Sequence, residues 1–236
     1  VSQGTKDDIL EHFDIDPAKI TVIYNGINVE QYHPTEDTTA LEKYGVDPQK
    51  PIVLFVGRIT RQKGIVHLVN AVQYINPTAQ IVLCAGAPDT REVLAEMEAA
   101  IRHIRHEGFN NVIWIQEMVT KEEAIELYSH ATVFCCPSIY EPFGIINLEA
   151  MACRTAVVAS SVGGIKEVVV DGVTGFLVPL EQWHVAPFEP VNPDVFSRDL
   201  AAAINKVLDN PELAESMAAA GQQRAREVFS WSSIAQ

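Results

Sequence analysis

Positive charge is scarce in this chain. Its 236 residues carry 17 lysines and arginines against 31 aspartates and glutamates, a formal net charge of −14. A protein that tracks nucleic acid or an anionic membrane presents a basic face, so neither is expected as a general partner. The same charge repels a phosphate ligand at long range, so any phosphate site must rely on a few local cations and backbone N–H groups. Cysteine is sparse too. Cys84, Cys135, Cys136 and Cys153 form no Cys-x-x-Cys pair, which argues against zinc. Three sit in strand contexts and Cys153 closes a helix, so buried free thiols in a reducing cytosol are expected rather than disulfides. No apolar run approaches a membrane span and no stretch has the pattern of a secretory leader, so the expectation is a cytoplasmic protein. No Gly-x-Gly-x-x-Gly follows a strand pattern, which weighs against an NAD-dependent oxidoreductase. An initiator methionine is missing as well. Val1-Ser2-Gln3-Gly4-Thr5 reads like a strand end entering a helix, and the expectation is a piece of a longer chain cut at a domain boundary.

What is present is an alternation of strand and helix patterns. Hydrophobic residues make up 47% of the chain, enough for one well-cored domain. Apolar runs at 51–56, 80–85, 111–115, 131–136 and 155–159 read as strands, with a short one ending at Val178. The 51–56 run has no polar alternation, as expected of a central parallel strand. Ile20-Thr21-Val22-Ile23 reads as a further short strand, turned by Tyr24-Asn25-Gly26, because Asn-Gly is a strong turn signal. Helical patterns cover 5–13, 65–74, a segment ending near His106, 120–130, 194–208 and 212–228, with Asn210-Pro211 breaking the last two. The fold class implied is α/β, a doubly wound parallel, Rossmann-like sheet of about six main strands in one domain. His103 and His106 lie three apart in a helical pattern without an evident third ligand, and read as surface residues.

The chain is organised around Glu141-Pro142-Phe143-Gly144-Ile145-Ile146-Asn147-Leu148-Glu149, between a buried strand and a helix. The first N–H groups of a helix lack internal partners and, with the dipole, suit a phosphate. Gly144 lets a ligand approach the backbone. Glu149 falls one turn below Ile145 on the same face, and Glu141 precedes the helix. Two carboxylates flanking a phosphate site suit a ligand with hydroxyls at both ends and a phosphate bridge, that is, a nucleotide sugar. The same spacing suits a solvated helix glutamate and a first-turn acid favoured by the dipole, and that alternative stays open. Gly57, Arg58 and Lys63 follow the 51–56 strand, at the end where open α/β sheets bind ligands. Arg forks two donors to phosphate oxygens and Lys adds a point charge; ordinary solvated loop cations would look the same.

The strings EPFGIINLEAMA and VGR-x4-KG, the VIYNGIN run with Tyr32 and Pro34, GG-x-x-E from Gly163, and DG-x-TG-F-L-V from Asp171 together resemble the signature of retaining, family 4 nucleotide-sugar glycosyltransferases. The resemblance covers nearly the whole chain. It implies the carboxy-terminal, donor-binding half of a GT-B enzyme, residues 1–236, with the amino-terminal acceptor domain absent. The likeness is greatest to actinobacterial-type glycogen synthase and maltose-1-phosphate synthase. Glucose transfer from ADP-glucose to an α-glucan or to glucose 1-phosphate is therefore implied; UDP- or GDP-sugar donors, or a non-catalytic nucleotide-binding module, are the alternatives. In the implied roles, Arg58 and Lys63 neutralise the leaving diphosphate and Gly57 belongs to their loop. N–H groups near Gly144, Ile145 and Ile146 support the phosphates, and Phe143 beside them counts among the donor-binding residues. Glu149 holds ribose hydroxyls, Glu141 the donor sugar, and Met118 lies near the base. No metal cofactor is implied. The resemblance also places a catalytic histidine in the absent domain, so the chain alone is expected to bind nucleotide but turn over poorly.

Overall fold

The apolar runs pair side by side into one sheet. In the computed structural model, which describes residues 1–235, six strands form it: β1 (Ile52–Arg58), β2 (Gln80–Gly86), β3 (Val112–Ile115), β4 (Val133–Cys136), β5 (Ala156–Ser160) and β6 (Gly175–Val178). All neighbours are parallel, in the order β3-β2-β1-β4-β5-β6. Side chains of a strand alternate between faces, and here both faces are covered. Val53 and Phe55 of β1, Ile81 and Leu83 of β2, and Val133 and Cys135 of β4 enter one core. Ile52 and Leu54, Val82 and Cys84, and Phe134 and Cys136 enter the other. This is why the strands read as continuous apolar runs.

The helices divide between the faces. On the first lie α3 (Ile65–Ala71), α4 (Arg91–His106) and α8 (Pro193–Leu208), through residues such as Leu68, Met97 and Leu200. On the second lie α5 (Lys121–His130), α6 (Ile145–Ala152) and α9 (Pro211–Val228), through Tyr128, Leu148, Met151 and Ala225. The remaining helices are α1 (Gln3–His12), α2 (Thr39–Tyr44), α7 (Ile165–Val168) and α10 (Trp231–Ile234). Side-chain caps close α1, α4, α5, α8, α9 and α10, from Ser2, Thr90, Thr120, Asn192, Asn210 and Ser230. The starts of α3, α6 and α7 carry glycine instead, with no side-chain cap.

All four cysteines are buried and free, with Cys135 and Cys136 on opposite faces. The segment 20–23 departs from expectation: it forms no strand. The sheet edges are β3 and β6, and β propensity without a partner strand makes no ladder. Asn25-Gly26 is not a turn either. A Cβ on Gly26 would lie 2.5 Å from the Trp231 ring, so glycine is there to let the indole pack on the backbone. The turn comes later, where Asn28 Oδ1 accepts from the N–H groups of Glu30 and Gln31. Among the described residues no helix is long and apolar enough to cross a membrane.

The strand order reverses between β1 and β4. In open sheets of this kind, ligands bind in the crevice outside the carboxyl ends of the strands at that reversal.

Candidate functional site at the β1–β4 switch point

Two loops leave the sheet at the reversal. The first runs from Ile59 to Gly64, between β1 and α3; the second runs from Pro137 to Gly144, between β4 and α6. They are joined by their backbones. Ile139 donates its N–H to Gln62 O at 2.8 Å. Gly64 adopts φ +61°, and a Cβ on it would lie 2.0 Å from the Pro137 carbonyl oxygen. A third loop supports the second from behind. Gly164 donates to Glu141 O at 3.0 Å, and Cβ atoms on Gly163 and Gly164 would stand 2.1 Å from Glu141 O and 2.4 Å from Pro142 O. The glycine pair of the GG-x-x-E string therefore faces this protein's own backbone. Ser2 Oγ and Thr5 Oγ1 donate to Pro142 O from the other side, at 2.6 and 3.3 Å.

The clamped second loop carries Glu141, which is only 8% exposed. Its Oε2 lies 2.6 Å from Lys63 Nζ and accepts a longer bond from the Ser138 hydroxyl at 3.4 Å. Charge from the first loop is thereby paired with charge from the second. Arg58 ends β1, is exposed, and makes no side-chain hydrogen bond or ion pair among the described residues. Gly57 precedes it; a Cβ there would press on the Phe55 ring at 3.2 Å.

The start of α6 is shaped as the sequence implies. Gly144 is its N-cap at φ 97° with no side-chain cap. The N–H groups of Ile145 and Ile146 therefore open the helix without a capping oxygen. Ile145 is 39% exposed. Phe143 differs: its side chain is buried and its ring lies 6.0 Å from that of Tyr24 and 5.9 Å from that of Phe229. It belongs to the core and anchors the loop, so any contact of its own with a ligand must come from its backbone.

One turn into α6, Glu149 accepts from the hydroxyls of Tyr32 and Tyr128, each at 3.0 Å. Burial pushes its carboxyl above the ordinary value of 4.5, and the two hydroxyls together with Lys121 and Lys63 pull against that. The Tyr128 hydroxyl is in turn pushed well above 10.0, by its own burial first and by Glu149 second. Nothing in the local sequence points to Tyr128, because it reaches Glu149 across helices from α5 and only packing brings them together. Tyr32 belongs to the strings quoted above, without a role attached.

Met118 is 82% exposed and borders a cleft of about 340 Å³ with Tyr32, Gly57, Arg58, Gly86 and Thr120. This cleft extends the site past the ends of β2 and β3 and is walled largely by apolar and backbone atoms. A roomier concavity of about 640 Å³ beside Val29, His33 and Arg226 includes none of the candidate donor-binding residues. We place the site at the carboxyl ends of β1 and β4, where cations, free helix amides and carboxylates converge. His103 and His106 are exposed on α4, and no group of three His, Cys, Asp or Glu side chains suited to an ion occurs among the described residues.

A family model described as glycosyl transferases group 1 matches residues 36–186. A protein named alpha-maltose-1-phosphate synthase, from Mycolicibacterium smegmatis, is 45% identical over 240 residues, covering 100% of this chain and 60% of that protein. A D-inositol 3-phosphate glycosyltransferase from Streptomyces bingchenggensis is 30% identical over 236 residues, covering 97% of this chain and 48% of that one. Among solved structures, sucrose-phosphate synthase from Thermosynechococcus elongatus superposes with a TM-score of 0.80 at 32% identity, over 100% of this chain and 54% of its own. The chain therefore spans about half of the length of the proteins it matches, or somewhat more.

Proposed function

The chain belongs to the glycosyl transferases of group 1, and on that premise we propose that it is the donor-binding domain of a retaining hexosyltransferase. The observation that carries the reading is the convergence at one switch point of Arg58, Lys63, the uncapped start of α6, and two carboxylates. In the proposed pose the pyrophosphate lies between the first loop and the N–H groups of Gly144, Ile145 and Ile146. Its negative charge grows as the glycosidic bond breaks. Fixed cations and amides aimed at that charge stabilise the transition state more than the ground state. Arg58 and Lys63 carry that role, so no metal is needed. Glu149, held by two tyrosyl hydroxyls, takes the ribose hydroxyls. Glu141 takes those of the donor sugar, and the base enters the Met118 cleft.

The donor proposed is ADP-glucose, and the acceptor an α-glucan or glucose 1-phosphate held by an amino-terminal domain. Likeness to the mycobacterial maltose-1-phosphate synthase supports this choice. A panel of ADP-glucose, UDP-glucose and GDP-mannose, read by thermal shift, tests it. ADP-glucose is expected to raise the melting temperature most, and Lys63→Ala to remove the shift. No shift with any sugar nucleotide would overturn the donor-site reading. A larger shift with UDP-glucose or GDP-mannose would replace the donor and leave the site.

A further inference from the structure

Asn147 stands in the first turn of α6 at 0% exposure. Its backbone N–H bonds to Gly144 O at 3.0 Å, but neither its Nδ2 nor its Oδ1 has a hydrogen-bond partner among the described residues. A buried amide left unpaired carries a desolvation penalty with nothing to offset it. An apolar residue would fill the place without that loss. An amide kept there unpaired points to a partner met in another state of the site.

The neighbours identify the partner. The position a Cβ would take on Gly144 lies 2.8 Å from Asn147 Nδ2 and 3.7 Å from Glu141 Cγ. The amide, Ile165 Cγ1 at 3.2 Å and the stem of Glu141 thus surround the same bare Cα, and glycine keeps a side chain of its own out of the space between them. The Glu141 carboxylate, one bond beyond that Cγ, is turned toward Lys63 at 2.6 Å.

Resting on the donor-site reading above, we propose that Asn147 is a positioning residue for Glu141. A bound pyrophosphate draws the Lys63 ammonium to itself. Glu141 then loses its cation and is free to rotate; only when the donor sugar is present do its hydroxyls draw the carboxylate round, and there it accepts a hydrogen bond from Asn147 Nδ2 that holds it in place. The exchange couples the two halves of the donor: its phosphates release the residue that recognises its sugar. The Asn147 amide is unpaired in the free protein and with a diphosphate alone, and paired once the sugar is bound, so its contribution appears in the sugar-bound state alone.

The test compares a nucleoside diphosphate with the matching nucleotide sugar, ADP with ADP-glucose in the first instance, on Asn147→Ala. Affinity for ADP is expected to stay within about twofold of the unsubstituted protein. Affinity for ADP-glucose is expected to fall about tenfold, the loss of one hydrogen bond to a charged group. The melting temperature without ligand is expected not to fall. Should the alanine variant not fold, Asn147→Ser is read the same way. Combined with Glu141→Gln, the two losses in ADP-glucose affinity should be non-additive. Equal loss for both ligands, no loss for either, or strictly additive losses would each overturn the exchange. Failure of the unsubstituted protein to bind any diphosphate or its sugar nucleotide would overturn the donor site itself, and the exchange with it.

Discussion

The Pro137 carbonyl oxygen stands 2.0 Å from where a Cβ on Gly64 would lie, and Gly64 holds φ +61°. Residues on the loops after β1 and β4 meet there with no room for one carbon atom. Gly64→Ala must move one loop away from the other. Gly45 provides the control, with φ +69° and nothing within 4 Å. Gly45→Ala is expected to lose only the left-handed strain, about 1 kcal/mol. Gly64→Ala should lose at least about 2 kcal/mol more and weaken nucleotide binding as well. Chemical denaturation of both variants checks this; equal losses would mean that the loops are not stapled at this point.

The Lys63–Glu141 pair predicts an asymmetry. Their side chains are 23% and 11% exposed, so removing one partner leaves a partly buried charge uncompensated. Lys63→Met is expected to lower stability by about 1–3 kcal/mol, and adding Glu141→Gln should restore most of it. Binding should behave otherwise. Lys63→Ala should weaken ADP about tenfold or more, while Glu141→Ala should weaken it less. Isothermal titration with ADP checks the order, and a reversed order would sink the assigned roles.

Glu149 predicts a pH dependence. Its folded carboxyl is held above 4.5, so over the window just above that value the native protein keeps a proton that the unfolded chain has released. Stability from this group is therefore fully present below that window and is lost as pH rises through it. Glu149→Gln removes the loss. Denaturation from about pH 4 to about pH 7 should show the variant gaining on the unsubstituted protein through the window and then running parallel. Parallel curves throughout would place the carboxyl at its ordinary value. Nucleotide affinity should fall in the same variant.

Met118 separates binding from folding. Because the side chain is 82% exposed, Met118→Ala should change stability by no more than about 0.5 kcal/mol. If its cleft takes the base, affinity for ADP should fall about threefold to tenfold while affinity for inorganic pyrophosphate stays unchanged. A matched fall for both ligands would place the base elsewhere.

Most of the framework was legible because buried parallel strands write themselves as apolar runs, and because caps such as Thr120 and Asn210 mark helix starts. The misread segments have a common cause. Ile20–Ile23 has strand composition but no strand to pair with, and Gly26 serves a ring that arrives from Trp231. Both outcomes are decided by residues far along the chain. The site divides in the same way. Arg58, Lys63, Glu141 and the start of α6 show themselves by position relative to strand ends. The tyrosines on Glu149, the glycine contacts behind Glu141, and the unpaired amide of Asn147 arise only on packing.

The place of β1 in the sheet fixes when the cleft can exist. Ile52 pairs with Gln80 on one side, but on the other Val53 must await Val133. A chain emerging from the ribosome through β3 would already own the Arg58–Lys63 loop, yet not the opposing wall. Pairings so distant in sequence are in general slow to close. The proposed pyrophosphate cleft is complete only with that pairing, so a donor bound there would reward only a finished sheet and would not guide its early assembly.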